Sequence, residues 1–307
     1  MSASAAPPAS PAPPAWRRSI ALAKPGITLL ICTVAVGGFV LADPRSIDLL
    51  RLALLVGCGA AASAGAAMLN HVLDRDIDRA MRRTRGRPLA GEDGPSPGAV
   101  AVVGLLFLGA GIGGAALALN LLTAVSILLG GLTYVVVYTV WLKRRSSWNI
   151  VIGGFAGSAP ALAGSAAAVG SWTDGVLAFA LLVFLWTPPH FWSLALLLRN
   201  DYARVDLPML PRMDDPAYSG KVVVVSAALL VPAAVLVGLT GAIAWPILVV
   251  LLALGIGFTV VALPLWRSVD LATARRGFLY SGPYLLGVVV AILVNAALVR
   301  GGVPTGF

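Results

Sequence analysis

The chain has 307 residues, of which 59% are hydrophobic and only 11% are charged, and this proportion is too apolar for the surface of a soluble protein. Its mean hydropathy of +0.91 and its apolar runs of about 20 residues, the length that a helix needs to cross a bilayer, predict an all-α, polytopic membrane protein. Composition therefore excludes soluble enzymes, secreted disulfide scaffolds and nucleic-acid binders. The net charge of +9 reports topology before it reports a ligand.

Residues 1–15 are rich in Ala, Pro and Ser and predict a disordered tail, whereas residues 16–307 predict a single transmembrane domain. The tail has neither the charge of a signal peptide nor the Arg of a transit peptide, which favours a bacterial inner (plasma) membrane. Nine apolar stretches, separated by short polar or Gly/Pro breaks, predict nine transmembrane helices. They lie at 22–42, 49–69, 98–118, 120–142, 148–168, 172–198, 221–241, 244–266 and 278–299.

The basic residues lie almost entirely in the N-terminal segment and the even-numbered loops. Only Arg45, Arg51 and Arg300 fall on the opposite side. By the positive-inside rule, the N-terminus and the even-numbered loops are cytoplasmic. Most of the Asp and Glu residues share this face. Topology explains clustered cations but not clustered carboxylates, so this face is the candidate for chemistry.

The second predicted helix runs from small residues into a polar segment that contains Asn70, Asp74 and Asp78. In a continuous helix these three residues are spaced four apart and form one stripe of about 12 Å. Carboxylate oxygens on one wall of a helix bundle suit Mg²⁺, which keeps coordination positions for water and substrate phosphate. Asp76 points about 200° away from this stripe.

Two interpretations of this segment remain open. The first is an exposed helix end at which Asp78 and Arg82 form an ordinary i,i+4 ion pair. The second is a diphosphate site, because five Arg residues between positions 79 and 87 follow the carboxylates and guanidinium groups match phosphate oxygens in pairs. Positive-inside anchoring accounts for some of these Arg residues in either case.

A second acidic patch follows the sixth predicted helix and contains Asp201 and Asp206. A spacing of five residues places them about 140° apart, so they share a face only if the chain bends near Pro208. We expect Asp201 to be a metal ligand and assign no role to Asp206. Two acidic walls could hold a diphosphate between them.

Four separated motifs resemble the UbiA superfamily of intramembrane prenyltransferases, and within it the branch that farnesylates protohaem IX. They are Asn70-x-x-x-Asp74-x-x-x-Asp78 with Arg83-Thr-Arg-Gly-Arg87-Pro-Leu, Asn149-Ile-Val-Ile-Gly-Gly, Trp186-Thr-Pro-Pro-His190-Phe-Trp192, and Asp201-Tyr202 followed by Pro208-Met-Leu-Pro211. The resemblance extends from about Lys24 to the ninth helix. One departure is Asp206, where this branch usually has a small residue.

The resemblance implies nine helices around a central cavity, farnesyl diphosphate and haem B as substrates, haem O as product and Mg²⁺ as cofactor. It implies that Asp74, Asp78 and Asp201 hold Mg²⁺, while Arg83, Arg87 and Lys143 neutralise the leaving diphosphate. Asn70 and Tyr202 are the corresponding substrate-binding residues. The resemblance also implies a downstream haem A synthase as a partner, because haem O is a precursor of haem A.

His190 lies inside the sixth predicted helix, directly after Pro188 and Pro189. An ionisable side chain at this depth usually faces a cavity, so one interpretation makes His190 a haem-binding residue. Trp186 and Trp192 then either stack on the porphyrin or pack as ordinary aromatic residues inside the bundle. The alternative is a structural histidine that bonds the carbonyl groups freed by the prolines.

Two other functions compete with the proposed one. A UbiA-type enzyme could prenylate another acceptor, such as a quinone precursor. A transporter could also bury Asp and His, but it would distribute them through the depth of the membrane. The two cysteines, Cys32 and Cys58, lie in separate apolar runs and give no signal for a metal site or a redox pair.

Overall fold

The computed structural model describes residues 14–91, 94–210 and 215–306. The predicted tail, apart from Pro14 and Ala15, and Pro211 of the second acidic patch lie outside these ranges. Within the described residues, nine helices are long and apolar enough to cross a membrane, as the sequence predicts. We label them α1 (Pro25–Ala42), α2 (Leu49–Leu73), α3 (Pro97–Ala118), α4 (Leu121–Leu142), α5 (Asn149–Val169), α6 (Asp174–Leu197), α7 (Ala217–Leu239), α8 (Trp245–Trp266) and α9 (Leu271–Arg300).

Local capping explains where several of these helices begin. The Asp48 carboxylate accepts hydrogen bonds from the first amides of α2, and proline occupies the first helical turn of α1, α3 and α8, where its missing N–H costs nothing. Helix α9 begins seven residues before the predicted position 278. The Asp270 carboxylate accepts from the amides of Ala272 and Thr273, so the polar segment before the apolar run is helical as well.

Three short helices lie outside the spans, at Ala15–Leu22, Arg75–Ala80 and Arg199–Arg204. The first precedes α1 and occupies the segment between the predicted tail, which ends at residue 15, and the predicted first span, which begins at residue 22. The other two follow α2 and α6 respectively; the first contains Asp76 and Asp78, and the second contains Asp201.

Small residues allow the helix backbones to touch. A Cβ atom on Gly65 of α2 would lie 2.4 Å from the Gly104 carbonyl oxygen of α3, and one on Gly38 of α1 would lie 2.2 Å from the Ala161 carbonyl oxygen of α5. Such close approach is how helices associate where lipid provides no hydrophobic drive. Glycine is therefore required at both crossings.

The nine helices pack as two neighbouring groups. Helix α2 packs on α3, α3 on α4, α4 on α5 and α5 on α1. In the second group α7 packs on α6 and α8, and α9 packs on α6 and α8. The two groups meet where α5 packs on α6 and α1 packs on α9. At one end of the bundle the start of α1, the ends of α2, α4 and α6 and the short helices come together. The candidate site lies at this end.

Candidate active site

Asn70, Asp74 and Asp78 form one stripe although the helix that carries them is interrupted. Asp74 leaves the helical region with φ −96° and ψ 3°, so the predicted continuous helix is wrong at this residue. Backbone bonds from the Asp74 amide to the Asn70 carbonyl and from the Asp78 amide to the Asp74 carbonyl, at 2.9 and 2.8 Å, preserve the four-residue register. Asn70, Asp74 and Asp78 are consequently all buried together, whereas Asp76 is exposed.

Asp74 is held by two side chains. Its Oδ2 atom accepts hydrogen bonds from Asn70 Nδ2 at 2.7 Å and from Lys143 Nζ. Its Oδ1 atom is buried and has no hydrogen-bond partner among the described residues. A buried carboxylate oxygen without a partner is costly, and it is the kind of atom that a bound cation would satisfy.

Asp78 is paired with Arg87. The guanidinium Nη1 lies 2.8 and 3.0 Å from the two carboxylate oxygens, and the Asp78 side chain is only 4% exposed. The alternative pair with Arg82 is therefore not formed. His71 Nδ1 lies 3.9 Å from Asp78 Oδ2, so a second buried residue lines the same carboxylate.

Asp76 lies outside this arrangement. Its carboxylate is exposed and binds the Arg144 guanidinium with two contacts of 2.7 Å. The bond with Arg144 lowers the pKa of Asp76 to about 2. Asp76 thus pairs at the surface and does not belong to the buried stripe.

A π-helical segment, Thr133–Leu142, forms the last part of α4 and leads to Lys143. The Thr139 hydroxyl bonds to the Tyr134 carbonyl five residues earlier at 2.8 Å and accepts from Asn70 Nδ2 at 3.0 Å. The wider turn thus directs Tyr134, Thr139 and Lys143 towards α2. Short π-helical segments are frequent at functional sites.

Lys24 is a member of the site that sequence reasoning assigned to topology alone. Its ammonium donates to Asn70 Oδ1 and to the Tyr134 hydroxyl, and its φ of 45° is unusual for a residue other than glycine. Burial, followed by the nearby charge of Arg87, lowers the pKa of Lys24 to about 7. Its only sequence signal was its position directly before Pro25.

The second acidic patch lies against the basic segment that follows α2. Asp201 is half-buried and its Oδ2 accepts from the Arg83 backbone amide at 3.4 Å. The buried Tyr202 follows, and burial raises the pKa of its hydroxyl. Arg83 therefore links the two acidic patches.

The motifs of α5 and of the segment after α6 also meet, since Asn149 Nδ2 lies 3.5 Å from the Pro208 carbonyl oxygen. Asn149 is fully buried, and its Oδ1 has no partner among the described residues. Asp206, in contrast, is exposed with a φ of 48°. Glycine adopts this left-handed conformation without steric cost, so a glycine suits the position better than Asp does.

The donor set fits Mg²⁺ as two walls and not as one preformed cluster. Within residues 14–91, 94–210 and 215–306, no three His, Cys, Asp or Glu side chains come close enough to hold a single ion. The stripe provides Asp74 and Asp78, and Asp201 stands apart on the second patch. Oxygen donors, few per wall, suit a cation that keeps water and phosphate in its shell.

His190 forms its hydrogen bond with α9. Its Nδ1 lies 2.5 Å from the Ser281 hydroxyl, so the predicted structural alternative, a bond to carbonyls freed by the prolines, is not what this residue makes. The imidazole stacks on Trp186 at 4.6 Å and is tilted against Phe278 at 5.2 Å. Trp186 Nε1 donates to the Ser281 carbonyl, and Trp192 Nε1 is buried without a partner among the described residues.

The sequence matches the UbiA prenyltransferase family over residues 29–298. It is 41% identical over 281 residues to "Protoheme IX farnesyltransferase" of Sulfurisphaera tokodaii, covering 90% of this chain and 91% of that protein. It is 40% identical to "Protoheme IX farnesyltransferase 1" of Paramagnetospirillum magneticum, covering 91% and 98%.

Two solved structures share the fold. A UbiA homologue from Archaeoglobus fulgidus, bound to GPP and Mg²⁺, superposes with a TM-score of 0.70 at 18% identity and covers 90% of this chain and 99% of that one. A digeranylgeranylglyceryl phosphate synthase superposes with a TM-score of 0.75 at 16% identity, covering 92% and 98%. At these identities the likeness concerns the fold alone.

Proposed function

Since the chain belongs to the UbiA prenyltransferase family, we propose that it transfers a farnesyl group from farnesyl diphosphate to the 2-vinyl group of haem B, giving haem O. Relatives that share about 40% of its residues over nearly their whole length carry the name of this activity. The observation that carries the proposal is the assembly of the buried Asp74, Asp78 and Lys143 with the half-buried Arg87 at one end of the bundle.

In this proposal, the charged assembly binds and ionises the diphosphate. Asp74 and Asp78 hold Lys143 and Arg87 in place, so the cations are oriented before the substrate arrives. Asp74 and Asp78 on one wall and Asp201 on the other would hold Mg²⁺, which when bound supplies Lewis-acid neutralisation of the leaving charge. Arg83, whose charge acts on Tyr202 beside Asp201, adds a further cation near the second wall.

Asn70 fixes the geometry of this assembly. Its Oδ1 accepts from Lys24, and its Nδ2 donates to Asp74 and Thr139. One amide thereby joins α1, α2 and α4. This arrangement gives Asn70 the role of orienting the carboxylate rather than binding the metal directly.

The acceptor side of the proposed reaction lies deeper. His190 is about 13 Å along α6 from Arg199, at 1.5 Å per residue, which is too far for contact with the diphosphate. Trp186, Trp192 and His190 are the residues that would bind the porphyrin. Once diphosphate has left, the vinyl carbon attacks the farnesyl cation, and water adds to the carbocation so formed and loses a proton, which gives the hydroxyl group of the product.

The proposal extends to location and partner. The excess of Lys and Arg at the site end supports a cytoplasmic active-site face in the inner (plasma) membrane. A downstream haem A synthase would be the consumer of haem O. Neither the orientation nor the partner enters the chemistry of the site.

The test is haem extraction from cells that lack their own haem O synthase. Expression of this protein is expected to produce haem O, and expression of an Asp74→Asn variant at equal membrane abundance is expected to produce none. If haem B is the only haem while an aromatic quinone precursor becomes prenylated, the acceptor has been assigned wrongly.

A further inference from the structure

The hydroxyl of Ser281 lies between a histidine nitrogen and a backbone carbonyl. Ser281 Oγ is 2.5 Å from His190 Nδ1 and 2.6 Å from the Phe278 carbonyl oxygen. The serine is fully buried in α9. No role in the reaction follows from its sequence position, because it lies 91 residues from His190.

The single proton of the Ser281 hydroxyl determines which group donates in its contacts with Phe278 and His190. The Phe278 carbonyl can only accept, so the contact of 2.6 Å must contain the serine hydroxyl proton. Ser281 Oγ then has no proton left for His190 and must accept from it. His190 therefore carries its proton on Nδ1, and in the neutral ring Nε2 carries the lone pair.

The surroundings keep the imidazole in this orientation. Its ring is stacked on Trp186 with planes 19° apart and lies against Phe278, and Trp186 is itself tied to the Ser281 carbonyl at 2.9 Å. The Nε2 atom of His190 makes no hydrogen bond with any described residue, and it is not one of the described atoms that are both fully buried and unpaired. Nε2 is thus not fully buried and has no partner among the described residues.

We infer that Ser281 is a positioning residue, which fixes His190 as the Nδ1–H tautomer so that the Nε2 lone pair is presented to a metal-centred acceptor. The class of ligand is a metalloporphyrin whose iron takes a neutral imidazole, and this part rests on the proposed haem acceptor. A hydrogen bond on one ring nitrogen that sets the other as the ligand is a common arrangement around metal-bound histidines.

The experiment uses NMR of the full protein in nanodiscs with ¹³C,¹⁵N-labelled histidine. The chain has only two histidines, so a His71→Gln sample assigns both signals. In the parent, the carbon and nitrogen shifts of His190 are expected to be those of the Nδ1–H tautomer without any substrate. Ser281→Ala is expected to produce the other tautomer or a mixture, and Ser281→Thr, which keeps the hydroxyl, is expected to restore the parent signals.

Ser158→Ala is the matched control. Ser158 is also buried in a span, and its hydroxyl bonds the Phe155 carbonyl three residues earlier at 3.1 Å, as Ser281 does with Phe278. Removing it imposes the same loss on a helix without touching His190. The His190 signals are expected to stay unchanged in this variant.

Haem binding gives the second measurement. Titration with haem B is expected to show an absorption band of imidazole-bound iron in the parent, and Ser281→Ala is expected to weaken haem binding about tenfold or more. An Nε2–H signal in the parent, or an unchanged tautomer in a folded Ser281→Ala protein, overturns the role of Ser281. If the Nδ1–H signal is present but haem B does not bind, Ser281 still sets the tautomer, and the role of His190 as an iron ligand is refuted. The proposed function is judged separately, by whether haem O is formed.

Discussion

Replacing Arg87 by Met leaves the carboxylate of Asp78 without its main cation. The Asp78 side chain is 4% exposed and lies 2.8 Å from the guanidinium. Two unit charges about 4 Å apart attract by about 4 kcal/mol at an effective dielectric constant of about 20. Breaking a buried pair by removing one partner costs about 3–5 kcal/mol. Because the Arg87 side chain is itself 27% exposed, we expect the lower end, about 3 kcal/mol.

The assay is the free energy of unfolding in detergent, measured with EDTA so that no metal replaces the lost cation. Asp78→Asn alone is expected to cost only about 1 kcal/mol, because the remaining guanidinium can reach water. The double variant with Arg87→Met is expected to be close to Asp78→Asn, since no unpaired carboxylate remains. Arg85→Met, an exposed position in the same basic segment, is the control for the loss of positive charge.

The reasoning is refuted if Arg87→Met is as stable as Arg85→Met. It is also refuted if the double variant is no more stable than Arg87→Met alone. Either result means that water or another cation already compensates Asp78. Loss of prenyl transfer is expected in both single variants and in the double variant, so stability and activity separate in the double variant.

Three further predictions concern the charged end of the bundle. Asp74→Asn is expected to lower turnover by at least about 100-fold. Asp76→Asn removes only a surface ion pair and is expected to keep most of the turnover. Equal losses of turnover in membrane assays of the two variants would contradict the assignment of Asp74 to the site and of Asp76 to the surface. Asp201→Asn is expected to raise the Mg²⁺ concentration needed for turnover. Asp206→Gly is expected to relieve the positive φ at that residue and to keep activity. An inactive Asp206→Gly variant together with an unchanged Asp201→Asn variant would reverse the two roles. Lys24 has a pKa of about 7 and is mostly neutral at pH 8, and a bound anion raises this pKa, so diphosphate binding is expected to take up protons at pH 8 but not at pH 6. Calorimetry in two buffers of different ionisation enthalpy measures the proton uptake, which is expected to vanish in Lys24→Met. Proton uptake that persists in this variant belongs to another group.

Helix count and the first acidic wall could be predicted from the sequence because both depend on local order. Nine apolar runs of sufficient length define nine spans. The four-residue spacing of Asn70, Asp74 and Asp78 was enough to place them together, even though the helix breaks at Asp74, since the backbone bonds keep their register.

The contacts of Lys24, Thr139 and Ser281 could not be predicted, because they depend on how distant segments of the chain meet. Lys24 meets Tyr134 across 110 residues, and the π-helical register that directs Thr139 towards Asn70 has no signal in the apolar run of α4. The pairing of His190 with Ser281 likewise depends on how α6 packs against α9. Sequence spacing carries no information about such crossings.

The central claim is that the charged end of the bundle binds a prenyl diphosphate and that haem receives the prenyl group. The most direct measurement is the mass of the porphyrin product formed by the purified protein in nanodiscs with haem B, farnesyl diphosphate, Mg²⁺ and an equal amount of an aromatic quinone precursor. The account predicts haem whose 2-vinyl group has been converted to a hydroxyethylfarnesyl group, so that its mass rises by a farnesyl group and a hydroxyl group, with no prenylated quinone precursor and no product from Asp74→Asn. Unmodified haem beside a prenylated quinone precursor, or unmodified haem from folded protein that binds farnesyl diphosphate, would contradict it.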